Sequence, residues 1–160
     1  LTARVIDRCI REAQAIDTSK LCITAGEKVW SVIIDICTIN DDGNVVDAAA
    51  IGAIAALKNT RFPEYNAEKN QVNYSVKTNK KLPIAKEPLP VTIHKIGTHL
   101  FIDPLPEEEK SSQGALTIGS LANGNICALQ KGGDAPFTFE ELQEMVGIAV
   151  ETAGDLRKLL

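Results

Sequence analysis

A chain of 160 residues with 44% hydrophobic and 24% charged side chains has the profile of one globular domain, large enough to bury roughly two-thirds of its unfolded surface without a disulfide or metal staple. Its net charge of −4 excludes a uniformly basic nucleic-acid coat, so any such contact must come from a local basic patch. No apolar run approaches the ~20 residues of a membrane span, and no signal-peptide pattern opens the chain. We therefore expect a soluble, cytoplasmic protein with no membrane contact.

Taken in order, Val5, Ile6, Cys9, Ile10, Ala13 and Ile16 fall on one face of a helix over residues 3–16. The chain opens inside that helix with no cap or lead-in, so residue 1 is not expected to be the natural start of the protein. Two β-rich runs follow, 20–25 and 28–40. The second is so continuously apolar that it is expected to lie centrally in a sheet. Asp41-Asp42-Gly43-Asn44 reads as a turn, and residues 46–58, rich in Ala and Ile, as a helix apolar all round and therefore buried.

Residues 60–90 turn polar and read as a surface excursion, with a strand at 71–77 and a basic stretch from Lys77 to Lys86 whose role is open. Short strands are expected at 91–95, 100–102, 115–121 and 125–130. The last two form a hairpin around Ala122-Asn123-Gly124, with Asn-Gly supplying positive φ angles. A final amphipathic helix starts at Thr138, where Thr138 and Glu141 make a capping box. The order of elements gives an α+β sheet-and-helix layered fold.

Cys9, Cys22, Cys37 and Cys127 stand singly among apolar neighbours and are expected to be small buried hydrophobes. Neither histidine lies at zinc-finger spacing from them, so no metal and no cofactor is expected. Arg4, Arg8 and Arg11 recur at helical spacing. They either pair with Asp7 and Glu12 or grip phosphates, which guanidinium forks suit. Of the carboxylates near the turn, Asp41 and Asp42 serve the turn itself, whereas Asp35 interrupts an apolar run and would need a partner if buried. Asp103 to Glu109 reads as a solvated acidic loop, and Lys131-Gly132-Gly133 as a turn.

Read as a series, Ala15 to Cys22, Gly26-Glu27-Lys28-Val29-Trp30, Ile34 to Ala48, Phe101 to Glu109 and Leu129 to Gly133 resemble the RNase PH family, and within it the non-catalytic ring subunit of an archaeal-type exosome. The resemblance implies an RNase PH-like (ribosomal protein S5 domain 2-like) fold. Residues 1–60 would be the later part of its first half and 85–160 its C-terminal subdomain, in an N-terminally truncated chain. The family's chemistry is phosphorolysis of RNA from the 3′ end, which needs an anion site and an acid. Active members carry Gly-(Ser/Thr)-Arg where this chain has Asp42-Gly43-Asn44. They carry two aspartates where it has Glu109 and Ala115. The resemblance thus implies a chain inert alone, with Asn44, Glu109 and Ala115 as degenerate active-site positions. It would contact RNA phosphates through Arg4 and Arg8, with Arg11 less firmly matched. Its partners would be a catalytic RNase PH-like subunit in a hetero-hexameric ring and the exosome cap proteins. The alternative is an active phosphorolytic exoribonuclease using Glu109 with Asp103 or Asp47.

Overall fold

The computed structural model describes residues 2–160. Helix α1 (Thr2–Glu12) buries Val5, Ile6 and Cys9, the inward face that the spacing predicts. It stops before residue 16 because Gln14 takes a φ of 53° and reverses the chain. The Ala15 carbonyl then accepts from Ala85 N–H at 2.8 Å, and a short 3-10 turn over Thr18–Leu21 follows, capped by Asp17.

The expected central strand over 28–40 does not form. Only Lys28–Val29 pair, as β2 against β1 (Cys22–Thr24). Beyond Val29 the chain is extended with a period of two: Trp30, Val32 and Ile34 pack on the core, while Ile33 is 79% and Ile39 98% exposed. The pattern is that of a strand, but a strand also needs a neighbour to take its backbone N–H and C=O groups. Among the described residues none lies alongside. Asp35 is exposed, so it has no buried charge to offset. Cys22 and Cys37 are exposed as well, correcting the expectation that all four cysteines are buried.

Helix α2 (Val45–Asn59) buries Asp47, Ala50, Ala53, Ile54 and Leu57, packing on α1 and on the main sheet. The polar excursion holds a hairpin, β3 (Arg61–Asn66) and β4 (Gln71–Lys81), with its register broken around Pro63. Phe62 and Leu82 anchor its base in the core. Lys77, Lys80 and Lys81 are exposed, so the basic stretch is a solvated strand edge, with the Lys80 ammonium 5.0 Å from the Phe62 ring centre.

The main sheet is antiparallel, in the order β6 (His99–Ile102), β5 (Leu89–Ile96), β7 (Gly114–Ser120), β8 (Ile126–Gly133). Its alternation assigns the two faces. Leu89, Val91, Ile93, Leu116 and Ile118 meet Met145, Ala149 and Ala153 of helix α4 (Phe139–Arg157). The opposite face, with Thr92, His94, Ala115 and Thr117, looks towards α1 and α2. The α4 capping box is as read from the sequence: Thr138 N–H donates to Glu141 at 2.9 Å and Glu141 N–H to Thr138 Oγ1 at 3.2 Å. Lys95 adds an ion pair to Glu141 at 2.6 Å.

Two local expectations are corrected. Between β7 and β8 the pair Leu121–Asn125 closes the expected loop of Ala122, Asn123 and Gly124, with Leu121 N–H bonded to Asn125 O and Gly124 N–H to Leu121 O, both at 2.9 Å. Only Gly124 of the Asn-Gly pair takes a positive φ, 81°, as a three-residue hairpin loop requires. The acidic segment after Asp103 is not all loop, because Pro106–Ser111 form helix α3. Pro106 suits a first helical position, and Glu107 to Glu109 favour the positive end of the backbone dipoles. Among the described residues, no helix is long and apolar enough to cross a membrane.

Candidate functional site

On the α1/α2 side of the sheet, a cavity of about 270 Å³ is lined by residues from five separated stretches of the chain, among them Asn44, His94, Glu109, Ala115, Gln130 and Lys131. The three positions read as degenerate from the sequence, Asn44, Glu109 and Ala115, are therefore brought to one place. The fold does this by pressing two turns together. Gly43, at φ 98°, lies so close to the 103–106 segment that a Cβ there would stand 2.5 Å from the Pro104 carbonyl oxygen. Asn44 follows in the left-handed region at φ 48° and reaches Asp103 with its amide at 3.5 Å. Leu105 N–H donates to Glu108 at 2.8 Å, which fixes the start of α3 and places Glu109 at the rim.

The floor is polar and already satisfied. Asp47, 5% exposed, accepts from Thr92 N–H and Thr92 Oγ1, each at 2.8 Å, and Thr92 Oγ1 lies 3.0 Å from Thr117 Oγ1. Burial pushes the Asp47 carboxyl above its ordinary range, against the lowering effect of the Thr92 bonds. His94 is shifted down by burial, partly offset by the Glu109 and Asp47 charges, so its ring is neutral at pH 7. Asp47 is thus occupied in holding α2 to the sheet.

Lys131 is the cation on the cavity wall. Its ammonium donates to Gly133 O at 2.7 Å and stands 5.3 Å from the Phe137 ring centre. It lies in β8, so the expectation of a turn at 131–133 is corrected. Among the described residues no three His, Cys, Asp or Glu side chains gather in a way that could hold a metal.

The arginine stripe divides. Arg11 is bound to Asp7 at 3.2 Å, the pairing weighed from the sequence. Arg8, half-buried, donates to Gln130 Oε1 at 3.1 Å. Arg4 is exposed and has no ion pair among the described residues. Because Gln130 also lines the cavity, Arg8 is joined to it through one side chain. Sequence reasoning missed Gln130 and His94 and set Lys131 aside as part of a turn. Cross-strand register carried the signal, since His94 pairs with Ala115, Thr117 with Gln130 and Ala115 with Gly132.

Comparison with known proteins bears on the family and the fold. Residues 1–63 match the 3′ exoribonuclease family, domain 1, and residues 86–152 match its domain 2. The chain is 41% identical over 158 residues to the exosome complex component Rrp42 of Methanothermobacter thermautotrophicus, covering 99% of this chain and 58% of that protein. It is 45% identical over 159 residues to Rrp42 of Methanosarcina acetivorans, covering 98% and 56%. A chain of the Archaeoglobus fulgidus exosome with RNA bound to the active site superposes with a TM-score of 0.86 at 39% identity, covering 98% of this chain and 59% of that one. A chain of an archaeal exosome core gives the same TM-score and identity, covering 98% and 61%. The chain therefore spans about three-fifths of the length of the relatives it matches. The two family-domain matches, the identity to these relatives and the shared fold lead to one conclusion: the chain belongs to the RNase PH, 3′ exoribonuclease family, in the branch that holds these archaeal exosome components.

Proposed function

We propose that this chain is a non-catalytic, RNA-contacting ring subunit that supports 3′-to-5′ phosphorolysis performed by a catalytic RNase PH-like partner. The observation that carries the reading is the make-up of the cavity. An amide (Asn44), a methyl (Ala115) and a neutral imidazole (His94) line it with Glu109 and Asp41. Phosphate attack needs concentrated positive charge to hold the incoming anion and stabilise the transition state. Here the lining cation, Lys131, is shared with Gly133 O and Phe137, and two carboxylates oppose an anion. The alternative of a working exonuclease would recruit Asp47, but that carboxylate is held by Thr92.

In this reading Arg4 and Arg8 offer guanidinium groups to RNA phosphates at the boundary with the partner, and Arg11 is spent on Asp7. The contacts position the backbone and carry no base preference. The assembly is a hetero-hexameric ring with cap proteins, in the cytoplasm, without metal or cofactor of this chain's own. In a ring assembled with the catalytic partner, Arg4→Ala/Arg8→Ala is expected to weaken binding of an unstructured RNA roughly ten-fold and to lower the salt slope by about 1.4, the single-strand value for two lost phosphate contacts. Affinity and salt slope both unchanged would remove the arginines from RNA contact.

A further inference from the structure

We propose that Cys9 and Cys127 are a peroxide-sensitive thiol pair, oxidised to a disulfide that ties α1 to β8. The site is independent of the RNA reading above and lies apart from the cavity.

The fold builds this pair by two local devices. Gly119 of β7 has no side chain, and α1 lies down on that gap. A Cβ on Gly119 would stand 2.6 Å from Cys9 Sγ and 3.3 Å from Cys127 Sγ, so both sulfurs occupy the space that residue leaves. The β7–β8 register then slips: Gly119 pairs with Ala128 but Ser120 with Ile126. Cys127 is the extra residue of this bulge, and a bulge re-aims its side chain. Strict alternation from Ala128 would have sent Cys127 to the α4 face. The bulge brings it to the Gly119 gap instead, beside Cys9.

The two thiols differ in the way a reacting pair requires. Cys9 is 2% exposed, and the neighbouring Cys127 sulfur together with burial pushes its thiol up. Cys127 is half-buried. The neighbouring Cys9 thiol, its own backbone and the nearby Arg157 and Lys86 charges lower its thiol to about 7, which favours the thiolate form that oxidants attack. Cys22 and Cys37 are both exposed.

The chemistry balances with hydrogen peroxide as oxidant. The Cys127 thiolate attacks one peroxide oxygen, the O–O bond breaks, and with one proton the products are a sulfenic acid and water. Cys9 sulfur then attacks the sulfenic sulfur, the S–O bond breaks, and the Cys9 proton leaves with hydroxide as a second water. Two thiols lose two electrons and peroxide gains them. The bond closes a loop running from α1 to the last strand of the sheet, and long loops are those in which a cross-link most restricts the unfolded chain.

The test uses a Cys22→Ser/Cys37→Ser background to suppress links between molecules. After hydrogen peroxide treatment, non-reducing digestion and mass spectrometry should find the Cys9 and Cys127 peptides joined and lighter by two hydrogens. The melting temperature should rise by roughly 5–10 °C and return with dithiothreitol. With Cys9→Ala added, Cys127 should halt at a sulfenic acid that dimedone traps. The proposal is overturned if the otherwise unchanged background shows Cys127 as sulfinic acid with Cys9 still alkylatable. It is equally overturned if both thiols stay alkylatable after peroxide treatment.

Discussion

Asp47→Ala is expected to destabilise the fold by about 3 kcal/mol, read as a lower midpoint with an unchanged slope in urea unfolding. The loss comes from what the carboxylate leaves behind. Thr92 N–H and the Thr92 hydroxyl both donate to it inside the molecule, and a buried donor without an acceptor costs about 1–3 kcal/mol. The same carboxylate sits in the first turn of α2, where a negative group favours the helix N-terminus. Asp47→Asn is expected to lose much less, because the amide oxygen can accept from Thr92 N–H while its NH₂ donates to Thr92 Oγ1. That variant isolates the charge. Burial raises the Asp47 carboxyl above its ordinary 3.8, so across the window above 3.8 the folded state holds more protons than the unfolded one. The Asp47 contribution to stability is therefore greatest at low pH and falls as pH rises through that window. The difference in stability between wild type and Asp47→Asn, followed from pH 3 upward, should shift against wild type with rising pH. A flat difference would mean the carboxyl is not perturbed.

Gly43→Ala is expected to cost about 2 kcal/mol or more, and its damage should centre on the cavity. Gly43 adopts φ 98°, a region that penalises an L side chain by about 1–2 kcal/mol. The added Cβ would also collide with the Pro104 carbonyl oxygen at 2.5 Å, and that oxygen is backbone, which cannot swing aside. The turn must therefore withdraw from the 103–106 segment, breaking the Asn44–Asp103 contact and separating Asn44 from Glu109. Gly26→Ala is the control: φ is again positive, 77°, but nothing lies within 4 Å of the new Cβ. It should carry the conformational penalty alone. Equal losses for the two variants would show that the close approach of the two turns contributes nothing.

Local chemistry explains what was legible in the sequence. The Thr138 and Glu141 cap, the apolar stripe of α1 and the β7–β8 hairpin are each written within a few residues of themselves. The run after Val29 misled because alternation reports a half-buried extended chain and says nothing about whether a neighbour completes it. Asp35 failed with it: a charge in an apolar run looks buried, yet the unpaired segment leaves its outward face in solvent. Helix α3 was hidden because six residues give no periodicity to read. At the site, the positions of Asn44, Glu109 and Ala115 came from resemblance to the RNase PH family, not from spacing. That they share one cavity is a tertiary fact set by Gly43 against Pro104. Asp47 could be seen as a carboxylate, but its burial and its bond to Thr92, 45 residues along the chain, could not. The Cys9–Cys127 pair was out of reach for the same reason, since it depends on a bulge and a missing side chain at Gly119.

The most direct test of a non-catalytic, contributing subunit is phosphorolysis of a labelled, unstructured RNA in phosphate and Mg²⁺, with the chain alone and then with a catalytic RNase PH-like partner. The account predicts no nucleoside diphosphate from the chain alone and faster release with both than with the partner alone. Phosphate-dependent diphosphate release by the purified chain alone would contradict it, and would turn attention to Glu109 and Lys131 as working groups.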